Sequence, residues 1–484
     1  MQKHNKIFSL CLSILFIVVA LLSFTACADN VDNNGGSNKL VIYNWAEYIY
    51  PDWETDFKDY YREKTGKEID LTYVTFDTNE TLLSKVFNND AQVDVMCPSE
   101  YAAQKLMEGG YLKPLNYFTS DSYENAKYVN KHITSALERA FSNVEISEGE
   151  TANMVDYMVP YMWGTLGILY NADLLMSNGI TDEDVARAGW GILWNKDENG
   201  KEFSADVDKR ILMKDSIRDS YAAAVLYMKQ YGLLDKLEGG KYASLTNEQL
   251  INTTEQELID AVQQVLIDQK DVLYGYEVDF GKDDLIQGNA FVDLAWSGDA
   301  LYAIEETTDK KGHSPLKYIA PSIGANIWFD GWVMPKTVQN EEAAKIFIDF
   351  LNRPDVGMKN MMEIGYSAAV DPEAIKLNED AISYFLETYE IENIPENQEE
   401  IDKKISWFFD NENRYVDFSL DTWALMRNFK NNDSVVQMWE RVRSTGISAV
   451  GLLLYTLLVL AVGIGVFVAI YFIRQRAKRR VKIG

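Results

Sequence analysis

The sequence predicts an α/β fold with parallel strands, divided among more than one domain. Three observations predict it. Apolar runs of strand length alternate with stretches of helical spacing. The strands close on aromatic and polar residues just before a helix starts, which is where open α/β sheets bind ligands. A chain of 484 residues exceeds what a single core serves.

Residues 1–27 read as an export signal, with Lys3 and Lys6 ahead of an apolar run over 7–22. Phe24-Thr25-Ala26-Cys27 is similar to the lipobox of bacterial lipoproteins, in which the cysteine receives the lipid. The competing reading is an uncleaved anchor helix. Residues 28–38 are polar, rich in Asn, Gly and Asp, and read as a flexible tether.

Leu40-Val41-Ile42 starts a short buried strand that ends on Asn44-Trp45-Ala46-Glu47-Tyr48. Pro51 and Asp52, the latter as N-cap, precede helical spacing at Trp53, Phe57, Tyr60 and Tyr61, and Gly66 stops that helix. A second strand spans 69–76. Asp77-Thr78-Asn79-Glu80 then has capping-box spacing before Leu82, Leu83, Val86 and Phe87. A third strand over 93–97 is followed by Pro98 and Ser99, and its helix stops at Gly109-Gly110. Connections of this length give right-handed crossovers, so Trp45, Asp77 and Ser99 share one rim. As isolated residues, Trp45 and Tyr48 are more often core aromatics, and the convergence of three strand ends shifts the reading toward a site.

Residues 119–152 form a polar excursion. Pro160-Tyr161-Met162-Trp163-Gly164-Thr165 leads into an apolar strand at 166–170 that opens a second α/β unit. A short strand at 211–213 precedes Asp215 and Asp219 near a helix start, where capping and dipole pairing explain acids as well as ligand binding does. Residues 235–270 are helical and acidic. Asp293-Leu294-Ala295-Trp296-Ser297 closes a further strand, and Ile327-Trp328-Phe329-Asp330-Gly331 begins one that crosses between lobes. A helix over 341–351 is followed by a turn at Ile364-Gly365-Tyr366-Ser367, and 380–444 is mainly helical. Residues 447–473 carry no charge, enough to span a bilayer, and 474–482 holds six basic residues and no acid, which marks the cytoplasmic side.

The formal net charge is −28, and −36 for residues 28–446, because eight basic residues and no acid lie outside that range. Such a body repels nucleic acid and steers cations. Cys11, Cys27 and Cys97 offer no disulfide in the folded body and no zinc spacing, and three histidines supply little for a His-based catalytic site. Asn195-x-Asp197-x-Asn199-Gly200 has a faint calcium-loop pattern that an Asn-Gly hairpin explains better. No metal or cofactor is expected.

Tyr43-Asn44-Trp45-Ala46-Glu47-Tyr48, Asn79-Glu80-Thr81, Asp94-Val95-Met96-Cys97-Pro98-Ser99, Pro160-Tyr161-Met162-Trp163-Gly164, Ile327-Trp328-Phe329-Asp330 and Ile364-Gly365-Tyr366 occur in one order. Together they resemble the spermidine/putrescine-binding proteins of bacterial polyamine ABC importers, over about residues 39–440. The resemblance implies a two-lobed periplasmic-binding-protein type fold with a ligand cleft between lobes, here with one C-terminal transmembrane helix added. It implies a division into signal peptide 1–27, tether 28–38, lobe I 39–160, lobe II 161–328, a lobe I return 329–385, a helical segment 386–446 packing on the lobes, the spanning helix 447–473 and the basic tail 474–484. It places ligand contacts at Trp45, Tyr48, Ser99, Tyr101, Asp219, Trp296, Trp328, Asp330 and Tyr366. Ser216 is the departure: spermidine binders often carry a second acid there, and the neighbouring Asp215 is left open as a substitute.

A polyamine ligand fits these residue types. Burying an ammonium needs a carboxylate, here Asp219 and Asp330, and Trp and Tyr faces attract cations while covering the methylenes. The resemblance further implies an ABC permease with its ATPase as partners, a monomer and no catalysis, while the export signal and the uncharged run 447–473 predict a body outside the membrane, anchored by Cys27 lipid and by 447–473. The alternatives are a binding protein for another small solute, a glycosidase-type enzyme using paired acids, and a polyamine-sensing input domain. The eleven-residue tail 474–484 argues against the last.

Overall fold

The computed structural model describes residues 38–88, 92–309, 312–418 and 422–445. Cys27 and the apolar run 447–473 lie outside them. Among the described residues no helix is long and apolar enough to cross a membrane.

Three strands, β1 (Lys39–Trp45), β2 (Asp70–Phe76) and β3 (Val95–Met96), pair in parallel in the order β2-β1-β3. Helices α1 (Trp53–Thr65), α2 (Asn79–Phe87) and α3 (Glu100–Glu108) connect and follow them. Strand β1 buries both faces, with Leu40 and Ile42 in one core and Tyr43 in the other, so its sequence reads as a continuous apolar run. Gly66 caps α1 in the left-handed region at φ 69°, its amide donating to the Arg62 carbonyl at 2.8 Å. Two expected caps change. Asp52 makes no side-chain cap bond, and the cap of α2 is Thr78, whose hydroxyl accepts from the Thr81 amide. That register frees Asn79 to turn inward.

The apolar stretch after Pro160 belongs to one 14-residue strand, β4 (Met158–Asn171), buried along its whole length. Beyond it lie β5 (Ile211–Lys214), β6 (Leu273–Glu277), β7 (Val292–Trp296) and β8 (Ala325–Pro335). The sheet runs β2-β1-β3-β8-β4-β7-β5-β6. Strand β8 is antiparallel to β3 and β4; β7 is antiparallel to β4; β5 is parallel to β7 and β6. The amino-terminal half of β4 pairs with β8 in lobe I and its carboxyl half with β7 in lobe II. These two long strands therefore belong to both lobes, and the expected boundaries at 160 and 328 fall inside them. A register shift between Asp330 and Gly331, opposite Met162 and Pro160, leaves Tyr161 unpaired in the ladder. Pro160, which has no amide to donate, sits where the ladder is interrupted.

Each lobe has a core on both faces of the sheet. In lobe I, α1 with α7 (Glu341–Leu351) and α8 (Pro354–Ile364) covers one face, and α2 and α3 cover the other. In lobe II, α4 (Ile217–Gln230) and α5 (Gln256–Gln269) cover one face and α6 (Ser297–Thr307) the other. Asp349 on α7 ties down the polar excursion: it accepts from the Asn125 amide at 2.9 Å, the Glu124 amide at 3.2 Å and Tyr117 Oη at 3.1 Å. The Asn199-Gly200 stretch is a hairpin, with the Asp197 amide donating to the Lys201 carbonyl at 2.7 Å.

The segment expected to be helical over 380–444 is interrupted; helices occupy Glu379–Thr388, Gln398–Phe409 and α9 (Asn432–Ser444). It reaches both lobes. Arg427 donates to the Ala140 carbonyl in lobe I and to Glu248 in lobe II at 2.7 Å. Helix α9 packs on α5, and Lys270 Nζ donates to the carbonyls of Val442 at 2.5 Å, Arg443 at 3.1 Å and Thr445 at 2.5 Å, satisfying the end of α9.

Phe347 joins three aromatics of the lobe I core, with ring centroids 5.1 Å from Phe57 and Trp332 and 5.8 Å from Trp53. Phe347→Ala is expected to cost about 3–5 kcal/mol of stability, read from the urea unfolding midpoint.

Candidate ligand-binding site

Parallel pairing places the carboxyl ends of β1, β2 and β3 on one rim, and those of β5, β6 and β7 on another. Strands β4 and β8 run between. Tyr48, Trp328 and Tyr366 are buried in one cluster against which Trp45 and Trp296 pack. Tyr48 meets Tyr366 edge-on at 5.5 Å, and Trp328 meets Tyr366 at 5.3 Å. Trp45 leans on Phe76 at 4.6 Å. Trp296 also packs against the lobe II core, so it touches both lobes.

The lobes approach closely here, and glycines permit it. A Cβ on Gly298 of α6 would lie 2.2 Å from the Tyr366 ring, and within the shared sheet one on Gly164 would lie 2.7 Å from Trp328, its ladder partner on β8. The Arg218 guanidinium of lobe II sits 4.8 Å from the Tyr101 ring of lobe I.

Asp330 lies at the β4–β8 irregularity, bridged through its backbone to Ser99. Such irregularities re-aim side chains next to sites. Asp330 is buried, and its Oδ1 has no hydrogen-bond partner; the same holds for Tyr48 Oη and the indole nitrogens of Trp45 and Trp328. Burial pushes the Asp330 carboxyl up to about 7 and nearby Asp219 adds to the rise, while the hydroxyls of Ser99 and Tyr48 hold it back. Glu100, fully buried, accepts from the Phe329 amide at 2.9 Å, and burial pushes its carboxyl up to about 8.

Ser99 and Tyr101 are held by Asn79, whose Nδ2 donates to Ser99 Oγ and to Tyr101 Oη, each at 3.0 Å. Across the cleft, burial raises the Asp219 carboxyl, against the Ser216 hydroxyl, Lys214, the Trp296 indole and Arg218. Ser216 is the N-cap of α4, its hydroxyl accepting from the Asp219 amide at 3.4 Å. Asp215, left open as a substitute acid, pairs with Arg443 of α9 at 3.1 Å. Of the ten residues expected to contact a ligand, Trp45, Tyr48, Trp296, Trp328 and Tyr366 pack together, Ser99 bridges Asp330 and shares Asn79 with Tyr101, Asp219 lies near Asp330 and Trp296, and Ser216 caps the helix that carries Asp219.

Sequence reading missed Asn79, Glu100, Lys214 and Arg218 as parts of this region. Asn79 had two available signals, its place inside the capping stretch and in the Asn79-Glu80-Thr81 motif of the resemblance. Lys214 reads as the ordinary polar end of a strand.

The model of the bacterial extracellular solute-binding proteins matches residues 57–380. The putrescine-binding periplasmic protein SpuD of Pseudomonas aeruginosa is 26% identical over 320 residues, 66% of this chain and 75% of that protein. The putrescine-binding periplasmic protein PotF of Escherichia coli is 25% identical over 322 residues, 66% and 74% of the two chains. A solved structure of a putative spermidine/putrescine ABC transporter protein from Listeria monocytogenes superposes with a TM-score of 0.60 at 24% identity, covering 84% of this chain and 99% of that one. Its likeness shows the two-lobed fold.

A carboxyl raised by folding binds more protons in the native state, so ionising Asp330 removes stability as pH rises from about 4 to about 7. Without ligand, Asp330→Asn should raise stability at pH 8 by on the order of 3 kcal/mol and change it little at pH 4. Thermal unfolding at the two pH values measures this; equal effects at both would show that the carboxylate is not desolvated.

Proposed function

The chain belongs to the bacterial extracellular solute-binding proteins, and we propose that its solute is a linear polyamine of the putrescine and spermidine class. The single observation that carries this reading is a pair of buried carboxylates, Asp219 and Asp330, set among Trp45, Tyr48, Trp296, Trp328 and Tyr366. A carboxylate costs several kcal/mol to bury alone, and an ammonium brought to it offsets that cost. The indole and phenol faces stabilise the cation and cover the methylenes between charges. Ser99, positioned by Asn79, and Tyr48 supply hydroxyls beside Asp330. The names of the relatives, which are polyamine-binding proteins rather than enzymes, support the same class. In this reading the monomer captures its ligand between the lobes and passes it to an ABC permease driven by its ATPase.

Calorimetry with putrescine, cadaverine, spermidine and spermine tests the reading. At least one should bind stoichiometrically, without conversion to product. Asp330→Asn should weaken it by a hundredfold or more, about 3 kcal/mol, because an ammonium is then buried unpaired. An unchanged dissociation constant would remove Asp330 from the site.

From the sequence alone, the body is held at the outer face of the cell membrane at both ends, by lipid on Cys27 and by 447–473. A single acyl chain binds marginally, whereas a spanning helix is effectively permanent. Cys27→Ala protein should therefore stay in the membrane fraction, and its release into the medium would refute the spanning segment.

A further inference from the structure

Lys214 is a lysine at the end of a strand, yet it is 2% exposed. Its Nζ pairs with Glu277 at 2.5 Å and donates to the Val278 carbonyl at 2.8 Å. It also lies 4.4 Å from the centroid of the Trp296 ring, a candidate wall of the ligand cleft. A cation of the protein itself thus engages a ring that the ligand would use, and it lies close enough to Asp219 to act on that carboxyl. Beside it, Lys282 pairs with Asp299 at 3.2 Å, and Asp299 in turn faces Tyr366.

The charge balance follows. Glu277 and Asp299 each already hold a lysine. Asp293, also buried, lies against Glu277 within reach of the Lys214 charge, and Glu100 accepts from the Phe329 amide at 2.9 Å. Glu47, Asp77 and Asp279 are exposed at the rim, where water and salt screen them. Among the described residues, Asp219 and Asp330 are the buried carboxylates set among the aromatic side chains Tyr48, Trp296 and Tyr366, and neither has an ion-pair partner. Two such groups match two ammoniums.

We propose that Lys214 is a specificity-determining residue: a resident cation on Trp296 that limits the cleft to ligands with two ammonium groups and penalises a third. This rests on the polyamine reading above. A triamine laid along the cleft would bring its additional charge against Lys214, with no carboxylate left to hold it. A diamine of similar chemistry would meet no such charge.

Calorimetry on the full chain in detergent, with putrescine and spermidine, tests this. The native protein should bind putrescine at least tenfold more tightly than spermidine; equal or tighter spermidine binding overturns the proposal, even if no variant folds. Lys214→Met frees Glu277 and should lower the spermidine-to-putrescine ratio of dissociation constants at least tenfold, whereas Lys214→Arg, which keeps the charge, should hold it within threefold of native. An unchanged ratio in folded Lys214→Met protein overturns the proposal, as does an equal drop in Lys214→Arg. A structural role alone would weaken both ligands together and leave the ratio in place. Failure of the native protein to bind either amine would instead defeat the polyamine reading itself.

Discussion

The structure depends on keeping a carboxylate dry at the point where the lobes share their strands. Asp330 stands on β8 between two ladders, with β3 on one side and β4 on the other. Solvent cannot reach it, so the free energy of its ionisation is decided by what the protein or a ligand puts beside it. Neutral hydroxyls from Ser99 and Tyr48 moderate the cost without cancelling it. The irregular register at Asp330, the unpaired Tyr161 and the Asn79 brace behind Ser99 all serve to hold this group in a fixed direction.

The lobe II side of the cleft works differently. There the acids come with lysines, and Trp296 already carries a cation on one side. The two rims are therefore unequal. One presents an ionisable group short of countercharge, the other a nearly balanced network with Asp219 at its edge. On the proposed reading, selection among cations of different valence would follow from that imbalance rather than from the number of acids present.

Much of this was legible in the sequence, for a physical reason. Trp45, Tyr48, Ser99 and Trp296 stand at the carboxyl ends of strands, and strand ends are set by local patterning. The run of apolar residues in β1 and the stop at Gly66 likewise follow from the chain's own neighbours. What was not legible depends on pairing between distant segments. Nothing near Lys214 predicts that Glu277 will neutralise it 63 positions away in the chain. Nothing near Asp215 predicts its ion pair with Arg443 of α9 either. Ser216 reads as a lost acid in a motif, but in three dimensions it is first a helix cap. The strand expected at 166–170 begins earlier, at Met158, because the irregular ladder that accommodates Pro160 is formed with distant β8, where Gly331 faces it.

The two ends of the described chain leave from different lobes. Lys39 begins β1 in lobe I, while Thr445 is fixed to lobe II through Lys270. Any rotation of one lobe against the other therefore changes the distance between these two points. If both were tethered to one surface, that surface would resist or assist the rotation, and the elasticity of the connecting segments would enter the apparent affinity for ligand. The protein would then be a mechanical element as well as a receptor, with its occupancy sensitive to tension along its own attachments.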